Sequence, residues 1–270
     1  MPVAVSVRSC RRGGHDPERE GTAFASLHVK GAPLLLYNVW DAASARVVAA
    51  AGARAIASSS WAVAGAQGYS DGEALPFDLL VTIHSRIVTA TDLPVSADCE
   101  SGYAVEPDAV AANVGRLIEA GVVGINFEDQ RVREGGMFTI AEQCDRIRAI
   151  RRRADAMGVP LFINARTDFF LQASDASAHG GLLPAAKERA EAYRDAGASG
   201  LFVPGLVDEG LLADLCASVA LPINVMMMGE GTPSIPRLAA LGVARVSYGG
   251  IPFAQHTSAL EKRVRQVLQA

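Results

Sequence analysis

Four stretches of the chain repeat one order of apolar and polar positions. Residues 50–60 read AAGARAIASSS, 119–129 read EAGVVGINFED, 195–205 read DAGASGLFVPG and 240–250 read ALGVARVSYGG. Each is the end of a helical pattern, a glycine and a short apolar run. Glycine suits the position just past a helix because it adopts positive φ without steric cost. Further apolar runs follow a proline or a Gly-Ala-Pro turn at 34–38, 95–98, 161–164 and 223–225, and helix-like stretches such as 108–120 and 139–157 lie between. The runs are continuously apolar, the pattern of a parallel sheet covered by helices. Eight strands alternating with helices predict a single (β/α)8 TIM barrel over 24–270. Residues 1–23 are expected to be a flexible extension. A doubly wound open sheet is the alternative. The first strand is followed by NVWDAAS, with no glycine-rich phosphate loop, which disfavours a dinucleotide fold.

Composition narrows the function classes. Half of the 270 residues are hydrophobic, enough for one large core, and the net charge is −4. The charge is mild and mixed, so neither a nucleic-acid nor an anionic-membrane surface is implied. No apolar run approaches the roughly 20 residues of a membrane helix. The apolar patch at the N-terminus is too short for a secretory signal, and its arginines follow it instead of preceding it. Four cysteines, Cys10, Cys99, Cys144 and Cys216, are scattered without a CxxC pair. They read as reduced thiols of a cytoplasmic protein.

In a (β/α)8 barrel the chemistry sits at the C-terminal strand ends. Those ends offer Asn38, Trp40 and Asp41; Ser58, Ser59, Ser60 and Trp61; Asp98 and Glu100; Glu128 and Asp129; Asn164, Arg166 and Asp168; Asn224; and Ser247 and Tyr248. Residues two apart on a strand share a face, so Asp98 and Glu100 are expected to point together and Cys99 the other way. Three carboxylates, Asp98, Glu100 and Glu128, would converge at the mouth. Alone they repel, and a hard divalent cation, magnesium or manganese, removes the conflict, with some acids holding it through water. Capping of the following helix is the alternative role for Asp98 and Glu100. Arg166 in FINARTD carries a fork suited to a substrate carboxylate, or to a salt bridge with the same acids. The serine run offers hydroxyl and backbone N–H donors to an anion. Trp40, Ser59, Ser60, Trp61, Arg166 and Asn224 are the candidate substrate contacts. The three methionines at 226–228 read as packing, and no histidine is assigned a catalytic role.

NVWDAASARVVAAAGARAIASSS, GYSDGEALP, LPVSADCESGY, GINFEDQ and FINARTD, in that order, resemble the isocitrate lyase/phosphoenolpyruvate mutase superfamily. The resemblance implies a magnesium ion, a 2-oxo acid or enolate-forming substrate, and a homodimer or homotetramer, often with an exchanged C-terminal helix. It implies that Ser59 and Ser60 hold a substrate carboxylate, with Ser60 replacing the usual glycine. It further implies that Asp98, Glu100 and Glu128 serve the metal, and that Asp71, Glu128 and Arg166 act in catalysis. The lyases of the family carry a Lys-Lys-Cys-Gly-His loop after the EDQ motif. Here EDQRVREGGMFTIAEQ stands instead, without lysine, cysteine or histidine. The mutases' lysine and asparagine are missing as well. Three readings follow. The first is a magnesium-dependent lyase cleaving or decarboxylating an oxaloacetate- or methylisocitrate-like acid. The second is phosphorus–carbon chemistry of the phosphoenolpyruvate mutase or phosphonopyruvate hydrolase type. The third is a weakly active or non-catalytic binder of 2-oxo acids.

Overall fold

The computed structural model describes residues 16–173 and 175–269. Eight parallel strands form one sheet: β1 (Leu34–Leu36), β2 (Ile56–Ala57), β3 (Val95–Asp98), β4 (Gly124–Glu128), β5 (Phe162–Arg166), β6 (Gly200–Phe202), β7 (Ile223–Met226) and β8 (Arg245–Ser247). Neighbours in sequence are neighbours in space, and β8 returns to pair with β1. The remaining seam between β1 and β2 is held by a bridge of Val39 to Ser58. There Val39 N–H donates to Ala57 O at 2.9 Å, and Ser59 N–H donates to Val39 O at 3.2 Å. The predicted (β/α)8 barrel is therefore the observed fold.

The covering helices are α2 (Ala42–Ala50), α3 (Ser60–Ala66), α4 (Phe77–Thr89), α5 (Pro107–Glu119), α6 (Ile140–Ala156), α7 (Phe169–Gln172), α8 (His179–Asp195), α9 (Glu209–Ser218), α10 (Ile235–Ala240) and α11 (Ile251–Leu268). Local chemistry sets where they start. Asp41 with Ser44, and Thr139 with Glu142, form reciprocal caps at the N-termini of α2 and α6. Asp41 is thereby a cap at the rim. No described helix is long and apolar enough to cross a membrane.

Residues 17–23 of the expected flexible extension belong to a helix, α1 (Pro17–Ser26), which runs on beyond it. Residues 1–15, including Cys10, lie outside the described residues. Phe24 is fully buried, with its ring 5.6 Å from that of Phe162. A Cβ at Gly124 would come within 2.5 Å of the Phe24 ring, so glycine at the start of β4 makes room for it. His28 stacks on Phe162 at 3.8 Å. Burial, and then the charge of Arg245, lowers the His28 pKa to about 3, so its ring is neutral.

Barrels of this type are usually filled by branched apolar side chains. Here Asn126, Asn164 and Asn224, inside β4, β5 and β7, and Arg245, at the start of β8, are buried. Asn126 Oδ1 accepts from Asn164 Nδ2 at 2.9 Å and from Arg245 Nη2 at 3.0 Å. Arg245 Nη1 has no partner. Burial lowers the Arg245 pKa to about 9, opposed by the charge of Asp98.

Candidate active site

A cavity of about 370 Å3 opens at the C-terminal mouth. Of the residues selected from sequence, Ser59, Ser60, Trp61, Asp71, Asp98 and Arg166 line it, joined by Asn126 and Ser247 from the strands and Asn38 just past β1. Trp40 lines a neighbouring cavity instead, with its ring 5.2 Å from that of Phe253. Asn224 is buried beneath the strand ends and donates to Ser247 Oγ at 3.2 Å.

Asp98 closes β3 and is positioned by a buried relay. Its N–H donates to Ser58 Oγ at 2.9 Å, and that hydroxyl lies 2.9 Å from His84 Nε2. His84 Nδ1 donates to Leu80 O at 2.8 Å. Burial lowers the His84 pKa, so the ring is neutral and Nε2 accepts the serine proton. Asp98 Oδ2 accepts from Ser60 N–H at 3.0 Å, while its Oδ1 is buried without a partner. The expected role of the serine run as a backbone anion cradle does not match these bonds. Ser58 N–H goes to Ser96 O, Ser59 N–H to Val39 O and Ser60 N–H to Asp98. The Ser60 hydroxyl is bonded to Asp71, so the Ser59 hydroxyl is what remains of the run to meet a ligand.

Glu100 does not extend the strand face of Asp98. The strand ends at Asp98, and Glu100 takes a left-handed backbone, φ 51°. Glu73 and Tyr103 do the same, at 54° and 59°, a conformation that non-glycine residues adopt at a cost. The three hold one another in place. Glu100 Oε2 accepts from Glu73 N–H at 2.7 Å and Oε1 from Tyr103 OH at 3.2 Å, while Glu73 Oε1 accepts from Ser101 Oγ and Tyr103 N–H. Burial, followed by the charges of Asp71 and Asp98, pushes the Glu100 carboxyl up to about 8. Cys99 is fully buried, and its Sγ donates to Asn126 O at 3.1 Å. Burial and the surrounding carboxylates push its thiol well up.

Glu128 and Arg166 pair across the β4–β5 register. Arg166 Nη1 lies 3.1 Å from Glu128 Oε2, and its Nε and Nη2 grip both oxygens of Asp168 at 2.6 and 3.0 Å. The guanidinium fork expected to face a substrate carboxylate is thus already closed on Asp168. Burial opposes the arginine's charge, but Glu128 and Asp168 outweigh it and raise the pKa. Burial raises the Glu128 carboxyl in spite of Arg166. The next acid, Asp129, is fully buried and turned to other partners, Arg189 Nη1 at 3.1 Å and Tyr193 OH at 2.9 Å. Its carboxyl is pushed up to about 6, chiefly by burial.

The donor set fits a hydrated cation better than a caged one. Among the described residues no group of three or more His, Cys, Asp or Glu side chains is gathered to hold a metal. What remains is the unpartnered Asp98 Oδ1, with Asp71 lining the same cavity. Burial, and next the charge of Asp98, raises the Asp71 carboxyl. Magnesium commonly keeps several waters, and such a set suits it.

The 130–137 segment folds as a small hairpin, with Gln130 bridged to Met137. Arg131 is bound to Glu134 and Glu142, and Arg133 Nε lies 3.3 Å from Glu73 Oε2. Glu73, Arg131, Arg133 and Glu134 line a separate cavity of about 260 Å3. Sequence reasoning passed over Asn126, Arg245 and Phe202, which lie inside strands, and read the methionines only as packing. The strand period could have flagged Asn126, since it stands two residues before Glu128 and shares its face.

The family model described as phosphoenolpyruvate phosphomutase matches residues 24–268. A crystal structure from Burkholderia cenocepacia J2315, provisionally described as a phosphonomutase, is 47% identical, with a TM-score of 0.90 over 93% of this chain and 99% of that one. An uncharacterised protein of Mycobacterium tuberculosis (strain ATCC 25618 / H37Rv) is 34% identical over 245 residues, 91% of this chain and 88% of its own length. The 2-methylisocitrate lyase of Escherichia coli (strain K12) is 31% identical over 215 residues, 77% of this chain and 69% of its own. The chain belongs to the phosphoenolpyruvate phosphomutase family, within the isocitrate lyase/phosphoenolpyruvate mutase superfamily whose motifs its strand ends carry.

Proposed function

We propose that the protein is a magnesium-dependent carbon–carbon lyase acting on a small 2-oxo or 2-hydroxy carboxylic acid through a stabilised enolate. The observation that carries this reading is the unpartnered Asp98 Oδ1 at a cavity that also holds Asp71 and Arg166. Asp98 would hold magnesium or manganese, with Asp71, Glu100 and Glu128 serving it through water. When bound, the ion supplies Lewis-acid polarisation of the substrate's oxo or hydroxyl oxygen. Arg166 stays protonated and offers a substrate carboxylate the N–H groups that Asp168 and Glu128 leave free. The hydroxyl of Ser59 holds the same carboxylate, while that of Ser60, bonded to Asp71, steadies the base. Asp71 accepts the substrate hydroxyl proton as the carbon–carbon bond breaks, and the bonding pair passes into the enolate. Protonation of the enolate carbon completes the turnover. In decarboxylation the departing fragment is carbon dioxide, and no hydroxyl proton moves.

Phosphorus–carbon chemistry is the weaker reading. Among the described residues lining the cavity, Arg166 is the one cation, and two carboxylates already hold it. A phosphonate dianion would find little positive charge there beyond the metal. A homodimer or homotetramer is part of the proposal. It is supported by α11, which leaves Leu260, Val264 and Val267 57%, 44% and 65% exposed along one stripe.

The test is turnover of a panel containing oxaloacetate, methylisocitrate, the neutral-ended 4-hydroxy-2-oxohexanoate and phosphonopyruvate, with and without magnesium. Magnesium-dependent release of pyruvate or carbon dioxide from a carbon–carbon substrate is expected. Turnover of phosphonopyruvate alone would replace the reading with the second one. Binding without turnover of any member would make the protein a 2-oxo acid binder.

A further inference from the structure

The cavity has a second half that the proposed chemistry does not use. Besides the acids and Arg166 it is walled by Trp61, Leu171, Phe202, Met226, Met228 and Ile251. The wall is built, not incidental. A Cβ at Gly249 would lie 2.8 Å from Met226 Sδ, and one at Gly250 would collide with the Trp61 ring. The two glycines after β8 therefore let a thioether and an indole lie flat against the backbone. Trp61, Leu171 and Met228 remain 46%, 40% and 41% exposed. Apolar surface gathered in one concavity and left open to water marks a binding surface. The halves meet at Arg166, whose guanidinium carbon is 5.8 Å from the Phe202 ring centroid. A ligand held at Arg166 by its carboxylate extends its other end over this wall.

We infer that the preferred substrate is a 2-oxo or 2-hydroxy acid that ends, beyond the bond to be cleaved, in a short alkyl group in place of a second charged group, so that oxaloacetate and methylisocitrate are turned over less well than a neutral-ended analogue. This rests on the carboxylate-binding role proposed for Arg166. An acidic tail would be carried onto a wall of thioether, phenyl and indole, with no cation among the described residues lining it to replace its lost hydration. An alkyl tail removes apolar area from water on both sides.

The test is calorimetric binding to the full-length protein at saturating magnesium. The ligands are oxalate, then pyruvate, 2-oxobutanoate and 2-oxopentanoate, then 2-oxoglutarate as a charged tail of similar length. The dissociation constant should fall about three- to fourfold with each added methylene. 2-Oxoglutarate should bind at least about tenfold more weakly than 2-oxopentanoate, the loss expected on desolvating an unpaired charge. In Met226→Ser the gain per methylene should shrink. Leu171→Ser makes the same test at a more exposed position, should the first variant fold poorly. A flat or reversed series, or 2-oxoglutarate binding as tightly as 2-oxopentanoate, overturns the inference while oxalate still binds. If neither oxalate nor the series binds, the Arg166 reading fails and this inference falls with it.

Discussion

The two arcs of the barrel mouth are finished in opposite ways. From β2 to β5 almost every polar group is paired before a ligand arrives. Asp98, Glu100, Glu128 and Arg166 are each tied to a neighbour, and among the acids' buried oxygens Asp98 Oδ1 is left without a partner. From β6 to β8 the strand ends present Phe202, Met226 and Tyr248 to an open concavity. The first arc is organised in advance, which is how charged groups act on a reacting atom without reorganising. The second offers adaptable apolar surface, which sorts molecules by shape and hydration. The same contrast separates two acids on adjacent strands. Asp98 keeps a free oxygen, whereas Asp129 is closed on Arg189 and Tyr193.

The largest expected effect breaks that last pair of roles apart. Asp129→Ala should cost about 3–5 kcal/mol of unfolding free energy, because it leaves Arg189 buried without its counter-charge. Asp98→Ala should cost much less in urea denaturation, yet abolish magnesium-supported oxalate binding in a folded protein. Oxalate binding that survives the Asp98 change would show that the free oxygen is not the metal's anchor.

Arg166→Lys is the next largest. An ammonium cannot keep two parallel bonds to Asp168 and still present donors to a ligand. Oxalate binding should weaken by about 1.5–3 kcal/mol, the range for hydrogen bonds to charged groups, or roughly ten- to a hundredfold in affinity. Metal binding without ligand should change far less. An unchanged oxalate affinity would leave Arg166 serving only Glu128 and Asp168.

A smaller effect concerns pH. The Glu100 carboxyl is raised in the fold from the ordinary 4.5 to about 8, so the native state holds its proton more tightly than the unfolded chain. Between those two values stability falls as pH rises, because ionising Glu100 in place is unfavourable. The melting temperature of the metal-free protein should therefore drop across that window. Glu100→Gln should flatten the drop, and an equal slope in the variant would assign it to other groups.

The smallest effect is expected from the thiols. Cys99, Cys144 and Cys216 are buried, and none lines the cavity. Changing all three to alanine should lower stability somewhat, since buried thiols pack as small hydrophobes, and leave turnover per folded molecule intact. Loss of turnover from Cys99→Ala alone, with the fold retained, would place that thiol in the chemistry.

Much of the frame was legible before any coordinate. The glycine-then-strand phrases place four strands and the apolar runs after a proline or a Gly-Ala-Pro turn place the other four, because each signal is local in the chain, and parallel strands need such crossover units. The strand-end rule then selects Asp98, Glu128 and Arg166 without knowledge of their contacts. Their pairings were not legible. The left-handed turn at Glu100 depends on bonds from Glu73 and Tyr103, and Glu73 is 27 residues away. Helix α1 gives no sign in sequence that Phe24 will fill the foot of the barrel. Arg245, in a phrase that otherwise reads as strand, looks like a surface residue until Asn126 is found beneath it, 119 positions distant.

The sequence by itself determined which strand ends form the mouth, since strand period and helix punctuation are local properties of the backbone. Only the tertiary structure decided what each could still do there. A donor spent on a neighbour is unavailable to a ligand, and which donors are spent depends on side chains brought together from distant parts of the chain.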